Sequence, residues 1–134
     1  MTARNQAGRM LVTTGGVILL ASAVLHFFGG YHAGFPALAS SNLDPGLQAA
    51  FRVVFLGVGW HWILLSTMAL VAAFSGTALR KFVILVCGVG VLVEAAAGAA
   101  AMGLFLGNEM IGLAAILMTI GGLLFERVTP RDAR

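Results

Sequence analysis

The sequence predicts an all-α fold, an integral membrane bundle of four antiparallel helices in a single domain over residues 1–134. Three observations predict it. Four apolar runs punctuate the chain, each near the roughly 20 helical residues needed to cross a hydrocarbon core about 30 Å thick. Hydrophobic residues make up 60% of the chain and charged residues only 10%, with a mean hydropathy of +0.99. A soluble domain this small leaves too much surface exposed to hide such content, so lipid is its natural solvent. Finally, the basic residues are sorted to one side of the apolar runs.

The spans are expected over about residues 10–30, 50–74, 82–106 and 109–126. Near the first, Ala37-Leu38-Ala39 has the small residues of a signal-peptide cleavage site. The apolar run at 10–28 is nonetheless longer than the roughly 7–15 residues of a signal core, and a retained helix is the expectation. The long connection at 29–48, holding Pro36, Pro45 and Asp44 among several glycines, reads as a structured loop. Residues 75–81, with Gly76, Arg80 and Lys81, form a plain link between helices. Gly107, Asn108 and Glu109 read as the turn of a tight hairpin.

With four spans, Arg4, Arg9, Arg80, Lys81, Arg127, Arg131 and Arg134 share one side and only Arg52 flanks the other. Positively charged flanks stay in the cytoplasm. The bias therefore predicts a multi-pass protein of the cell (inner) membrane, a bacterial one, with both termini cytoplasmic and the 29–48 loop outside. The pI near 10.0 goes with a net charge of only +3, and the basic residues cluster beside the spans. That pattern encodes topology and argues against a nucleic-acid partner. Cys87 is the single cysteine and can form no internal disulfide.

Ionisable groups inside a span are costly and call for a partner or a purpose. They are His26, His61 and Glu94, with Arg52 at the edge. At about 1.5 Å per helical residue, His61 lies roughly 12 Å below the outer face and Glu94 roughly 12–15 Å below it. The two share a level on different helices, and a hydrogen bond or ion pair between them satisfies both. Gly57 and Gly90 each precede one of them by four residues, and Glu94 is followed by an alanine run containing Gly98. Small residues at this spacing let helix backbones approach, which predicts the third span as the most buried. The same smallness also suits a cavity beside Glu94.

His26 is estimated at about 4 Å deep. Joint haem ligation with His61 would thus need both rings at one height, and no haem is predicted. His26 and His32 could reach a metal ion together with Asp44 or Glu109, but no strong metal-ligand spacing is present, and no metal is predicted. Trp60 and Trp62 flank His61 and could wall a lipophilic pocket or simply fill space near Gly57 and Gly59. Arg52 reads as a snorkelling side chain or as an anchor for a phosphate, a quinone oxygen or a partner's carboxylate.

No soluble-enzyme motif is present, neither a Walker A run nor G-x-S-x-G nor H-E-x-x-H. The leading functional expectation is a non-catalytic accessory or scaffold subunit acting through helix contacts. Its partners would be the bilayer and other membrane subunits or a second copy of itself. The alternative is a binding protein or small enzyme for a lipophilic ligand (quinone, lipid or haem) using Arg52, His61 and Glu94. A small dimeric transporter is a third. Whether His61 and Glu94 border a void or sit in tight contacts separates the first two.

Overall fold

The computed structural model describes residues 2–126, whose regular elements are all helices, with no strand among them. Arg127, Arg131 and Arg134 of the charge bias lie outside the described residues.

Helix α1 (Ala3–Gly29) begins at Thr2, whose hydroxyl accepts the Asn5 N–H at 3.3 Å. It does not stop at the glycines. A π-helical turn at Gly30–Gly34 carries it into α2 (Phe35–Ala39), making 37 continuous helical residues. The expected 29–48 loop is thus mostly helix, and only residues 40–44 are irregular. Pro36 explains the wide turn. A proline lacks an N–H and crowds the carbonyl four residues back, and the Phe35 N–H reaching five residues back to the Gly30 carbonyl widens the helix just there.

Helix α3 (Pro45–Phe74) starts from Asp44, whose Oδ1 accepts the Gly46 and Leu47 N–H groups at 2.8 and 3.4 Å, with Pro45 pre-set in the first turn. Helix α4 (Arg80–Met102) ends at Gly103, the one residue with positive φ (79°) among those described. Helix α5 (Leu106–Leu124) follows from Phe105 in extended conformation. The hairpin turn therefore lies at 103–105, ahead of the expected Gly107-Asn108-Glu109, which are already in α5. Gly103 was camouflaged by the apolar residues around it.

Four helical stretches, Ala3–Ala39, Pro45–Phe74, Arg80–Met102 and Leu106–Leu124, are long and apolar enough to cross a membrane. They close into a ring in which α1 packs on α3 and α5, and α4 packs on α3 and α5. One end, here the terminal end, gathers the start of α1, the α3–α4 link and the end of α5. The other, the distal end, carries α2 and the 103–105 turn.

The terminal end is tight. A Cβ on Gly15 would meet the Ala114 carbonyl at 2.7 Å, and one on Gly8 would meet the Gly121 carbonyl at 2.8 Å. On the other flank of α5, a Cβ on Gly88 would lie 2.9 Å from the Thr119 nitrogen. Such contacts are backbone against backbone, available only where small residues face each other at matching heights. At the very end, Glu126 accepts from Thr2 and Asn5 at 3.2 and 3.3 Å. Lys81 donates to the Leu123 and Phe125 carbonyls at 3.2 and 3.1 Å, satisfying groups the last turn of α5 leaves free. Arg9 lies over the Phe74 ring at 5.0 Å and Arg80 over Phe125 at 4.1 Å.

The most buried helix is α5, not the expected third span. Gly90 of α4 has open space where a side chain would be, and Ala96, Ala97, Ala100 and Ala101 are exposed. Smallness permits close contact but does not choose the neighbour, and the complementary small residues are on α1 and α5.

Candidate functional site

Toward the distal end the helices part around a cavity of about 790 Å³. Its walls come from all four long helices and are mostly apolar, with Leu25, Val54, Val58, Met102, Phe105 and Ile111 among them. Large side chains hold the helices apart here. Phe55 of α3 wedges against Gly30, and its ring stacks on His26 with centroids 3.6 Å apart. Phe27 and His26 press on Gly59, where a Cβ would lie 2.6 Å from the Phe27 ring.

The polar groups in this wall are few. Glu94 projects from α4, and its Oε2 accepts the indole N–H of Trp62 at 2.8 Å. Its Oε1 meets His61 Nδ1, also at 2.8 Å. One carboxyl group on α4 thus ties down two successive residues of α3, His61 and Trp62. Trp62 is only 8% exposed and forms the floor of the cavity wall, whereas Trp60 is 65% exposed on the outer face of α3. A tryptophan N–H only donates, so a buried one facing a carboxylate is fully satisfied.

His61 and Glu94 therefore lie together as their shared level predicts. The surroundings differ from the expectation of tight packing. The side chains of His61 and Glu94 are 45% and 34% exposed, and Gly57, one turn before His61, has nothing near it. Glu94 lines the cavity and His61 does not.

His26 is deeper in the architecture than its expected place near a helix end, because α1 runs on past it. Its ring lies edge-on to Trp62 at 4.9 Å, and its Nε2 donates to the Phe55 carbonyl at 2.8 Å. His26 and His61 do not face a common centre, since only His26 lines the cavity. His32 instead lies against Phe28 with ring centroids 4.3 Å apart, Asp44 caps α3, and Glu109 is exposed. Among the described residues no three His, Cys, Asp or Glu side chains form a metal cluster.

Arg52 stands at the rim. Its guanidinium is 5.8 Å from the Phe35 ring, which meets Phe55 edge-on at 5.5 Å. It lines no part of the cavity but is linked through these rings to His26.

One participant escaped the sequence reading. Asn108, taken for a turn residue, is 7% exposed in the first turn of α5 and lines the cavity. Its amide donates to the Gly103 carbonyl at 3.2 Å. Gly98 makes room for it, since a Cβ there would lie 3.0 Å from Asn108 Oδ1. The available signal was Gly98 itself, one turn beyond Glu94 on the same face. Ser22, also in the wall, spends its hydroxyl proton on the Ile18 carbonyl at 2.9 Å. Comparison with protein-family models, curated proteins and solved structures found no match.

Proposed function

We propose that this chain is a multi-pass membrane protein that binds a lipophilic molecule with a small polar head in the distal cavity. One observation carries the reading: Glu94, a carboxylate inside an apolar span, borders a void of about 790 Å³. That size falls within the ~300–1,000 Å³ usual for ligand pockets, and apolar walls with a few convergent polar groups are their usual chemistry. A purely adhesive role for Glu94 and His61 would be served better by close packing around both. The scaffold expectation has its best support at the terminal end, where the packing is tight, and Glu94 is not there.

The ligand's tail would lie along Val54, Val58 and Met102, and its head would meet Glu94, His26 and Asn108. A single haem held by His26 and His61 draws no support from this arrangement, because both rings already have separate partners.

Purification in mild detergent followed by solvent extraction and mass spectrometry tests the proposal. A lipophilic molecule should co-purify in near-stoichiometric amount with the parent protein. Ala97→Phe, which places a ring in the cavity from the α4 wall, should lose it while keeping its thermal stability. Equal recovery from both proteins would remove the cavity as the binding place.

The orientation is part of the proposal. Arg4, Arg9, Arg80 and Lys81 lie at the terminal end and Arg52 at the distal end, which supports a cytoplasmic terminal end and an outward-facing cavity. Reporter fusions after Arg80 and at the C-terminus should read cytoplasmic and one near Asn42 external. An external C-terminus would reverse it.

A further inference from the structure

Resting on the binding reading above, we infer that the cavity selects ligands whose head donates a hydrogen bond: a phenol, an alcohol or a quinol rather than a quinone or an ether. In the cavity wall most hydrogen-bond donors are already used, whereas acceptor positions remain open.

All but one of the donors are spent, the second amide proton of Asn108 being the exception. The Trp62 N–H goes to Glu94, the Ser22 hydroxyl proton to the Ile18 carbonyl, and one Asn108 amide proton to the Gly103 carbonyl. His26 Nε2 faces the Phe55 carbonyl, which can only accept, so that nitrogen carries its hydrogen and gives it away.

Acceptor capacity remains. A carboxylate has about four lone-pair sites, and Trp62 and His61 take one each. The proton in the short His61–Glu94 contact sits on one partner or the other. In either case it lies between them, so both Glu94 oxygens present only lone pairs to the cavity. In the neutral imidazole of His26, Nδ1 is an acceptor once Nε2 holds the hydrogen, and Nδ1 has no partner among the described residues. Asn108 Oδ1 adds a third acceptor beside Gly98. An O–H head satisfies this wall. A head bearing only a carbonyl or ether oxygen can meet at most the one remaining Asn108 N–H; against Glu94 and His26 it brings lone pairs to lone pairs, and those groups then lose hydration without compensation.

The test uses the full-length chain in lipid nanodiscs, carrying Trp60→Phe so that Trp62 is the only tryptophan. Two probes differ by one methyl group, 4-nonylphenol and its methyl ether, and decyl-benzoquinone is a third. Empty nanodiscs correct for partitioning. The phenol should change Trp62 emission at a concentration at least tenfold below that of the ether or the quinone, and Ala97→Phe should abolish the response. Glu94→Gln keeps the shape but turns an amide donor toward its surroundings, so the phenol's advantage should shrink and the quinone should gain.

If ether and phenol respond at equal concentrations, and both are blocked by Ala97→Phe, donor selection is wrong while the cavity reading stands. Tighter binding of the quinone in the parent protein overturns the inference in the same way. No response to any probe, with Ala97→Phe indistinguishable from the parent, overturns the binding reading and this inference together.

Discussion

Helix α1 meets two different worlds along its length. At Gly15 its backbone nearly touches that of α5 at Ala114, and at His26, three turns on, the same helix lines a cavity. The contrast follows side-chain size. Glycines and alanines face each other at the terminal end, whereas Phe55, Trp62 and Phe105 stand between the helices at the distal end. For a bundle in lipid, where no hydrophobic force acts between helices, van der Waals contact at small-residue seams is what holds it together. The terminal end supplies that contact, which leaves the distal end free to be hollow. Polar groups follow the same division. At the terminal end Lys81 and Glu126 bond to carbonyls and to the start of α1, and at the distal end His26, Glu94 and Asn108 border the void.

The largest expected effect breaks the tight end. Gly15→Leu must push α5 away from α1, because its Cβ alone would meet the Ala114 carbonyl at 2.7 Å and Met118 Cγ at 2.9 Å. Overpacking typically costs about 1–3 kcal/mol and sometimes more. Backbone-to-backbone contact cannot relax by rotating a side chain, so the upper part of that range is expected. Thermal unfolding in detergent reads it. Gly57→Leu, at the hollow end with nothing nearby, is the matched control and should change stability little. Equal losses from the two would erase the distinction between the ends.

A middle-sized effect sharpens the polar division. His61→Phe, Glu94→Gln and the double variant form a cycle, with a coupling of about 1 kcal/mol expected for a hydrogen-bonded pair between membrane helices. Losing one partner should cost more than losing both, because the survivor stays desolvated without compensation. Simple additivity would uncouple the pair. Trp62→Phe should likewise cost about 1 kcal/mol for the missing N–H bond to Glu94, while Trp60→Phe on the exposed face should be close to neutral.

How much of this was legible follows from what one dimension can encode. Run length gave four helices, and rise per residue put His61 and Glu94 at one level. Helix rotation was not legible: Trp62, adjacent in sequence to His61, reaches the other oxygen of the same carboxylate from the cavity side. The sequence also misled where one residue has two uses. Gly29, Gly30 and Pro36 read as a loop, yet a single π-helical turn accommodates the proline and keeps the chain helical. Asn108 read as a turn residue because Gly103, the true break, lies inside an apolar run. The cavity could only be suspected, since the alanines and glycines after Glu94 suit close packing and open space equally.

The smallest expected effect decides what lies outside the hollow end. Gly90 of α4 has nothing within 4 Å of where its Cβ would be. An alanine there adds no clash and removes backbone freedom from the unfolded chain, so Gly90→Ala should be neutral or stabilising by up to about 1 kcal/mol. The same change at Gly15 should carry the opposite sign, since even one methyl group meets a carbonyl there. The pair tests the comparison at its finest grain, because propensity is identical and only the neighbour differs. A clear loss from Gly90→Ala, with Gly15→Ala also harmful, would place another helix against this face of α4, from a second copy or a partner. In that event the half-exposed His61 would have a neighbour too, and the accessory-subunit reading would regain the distal end.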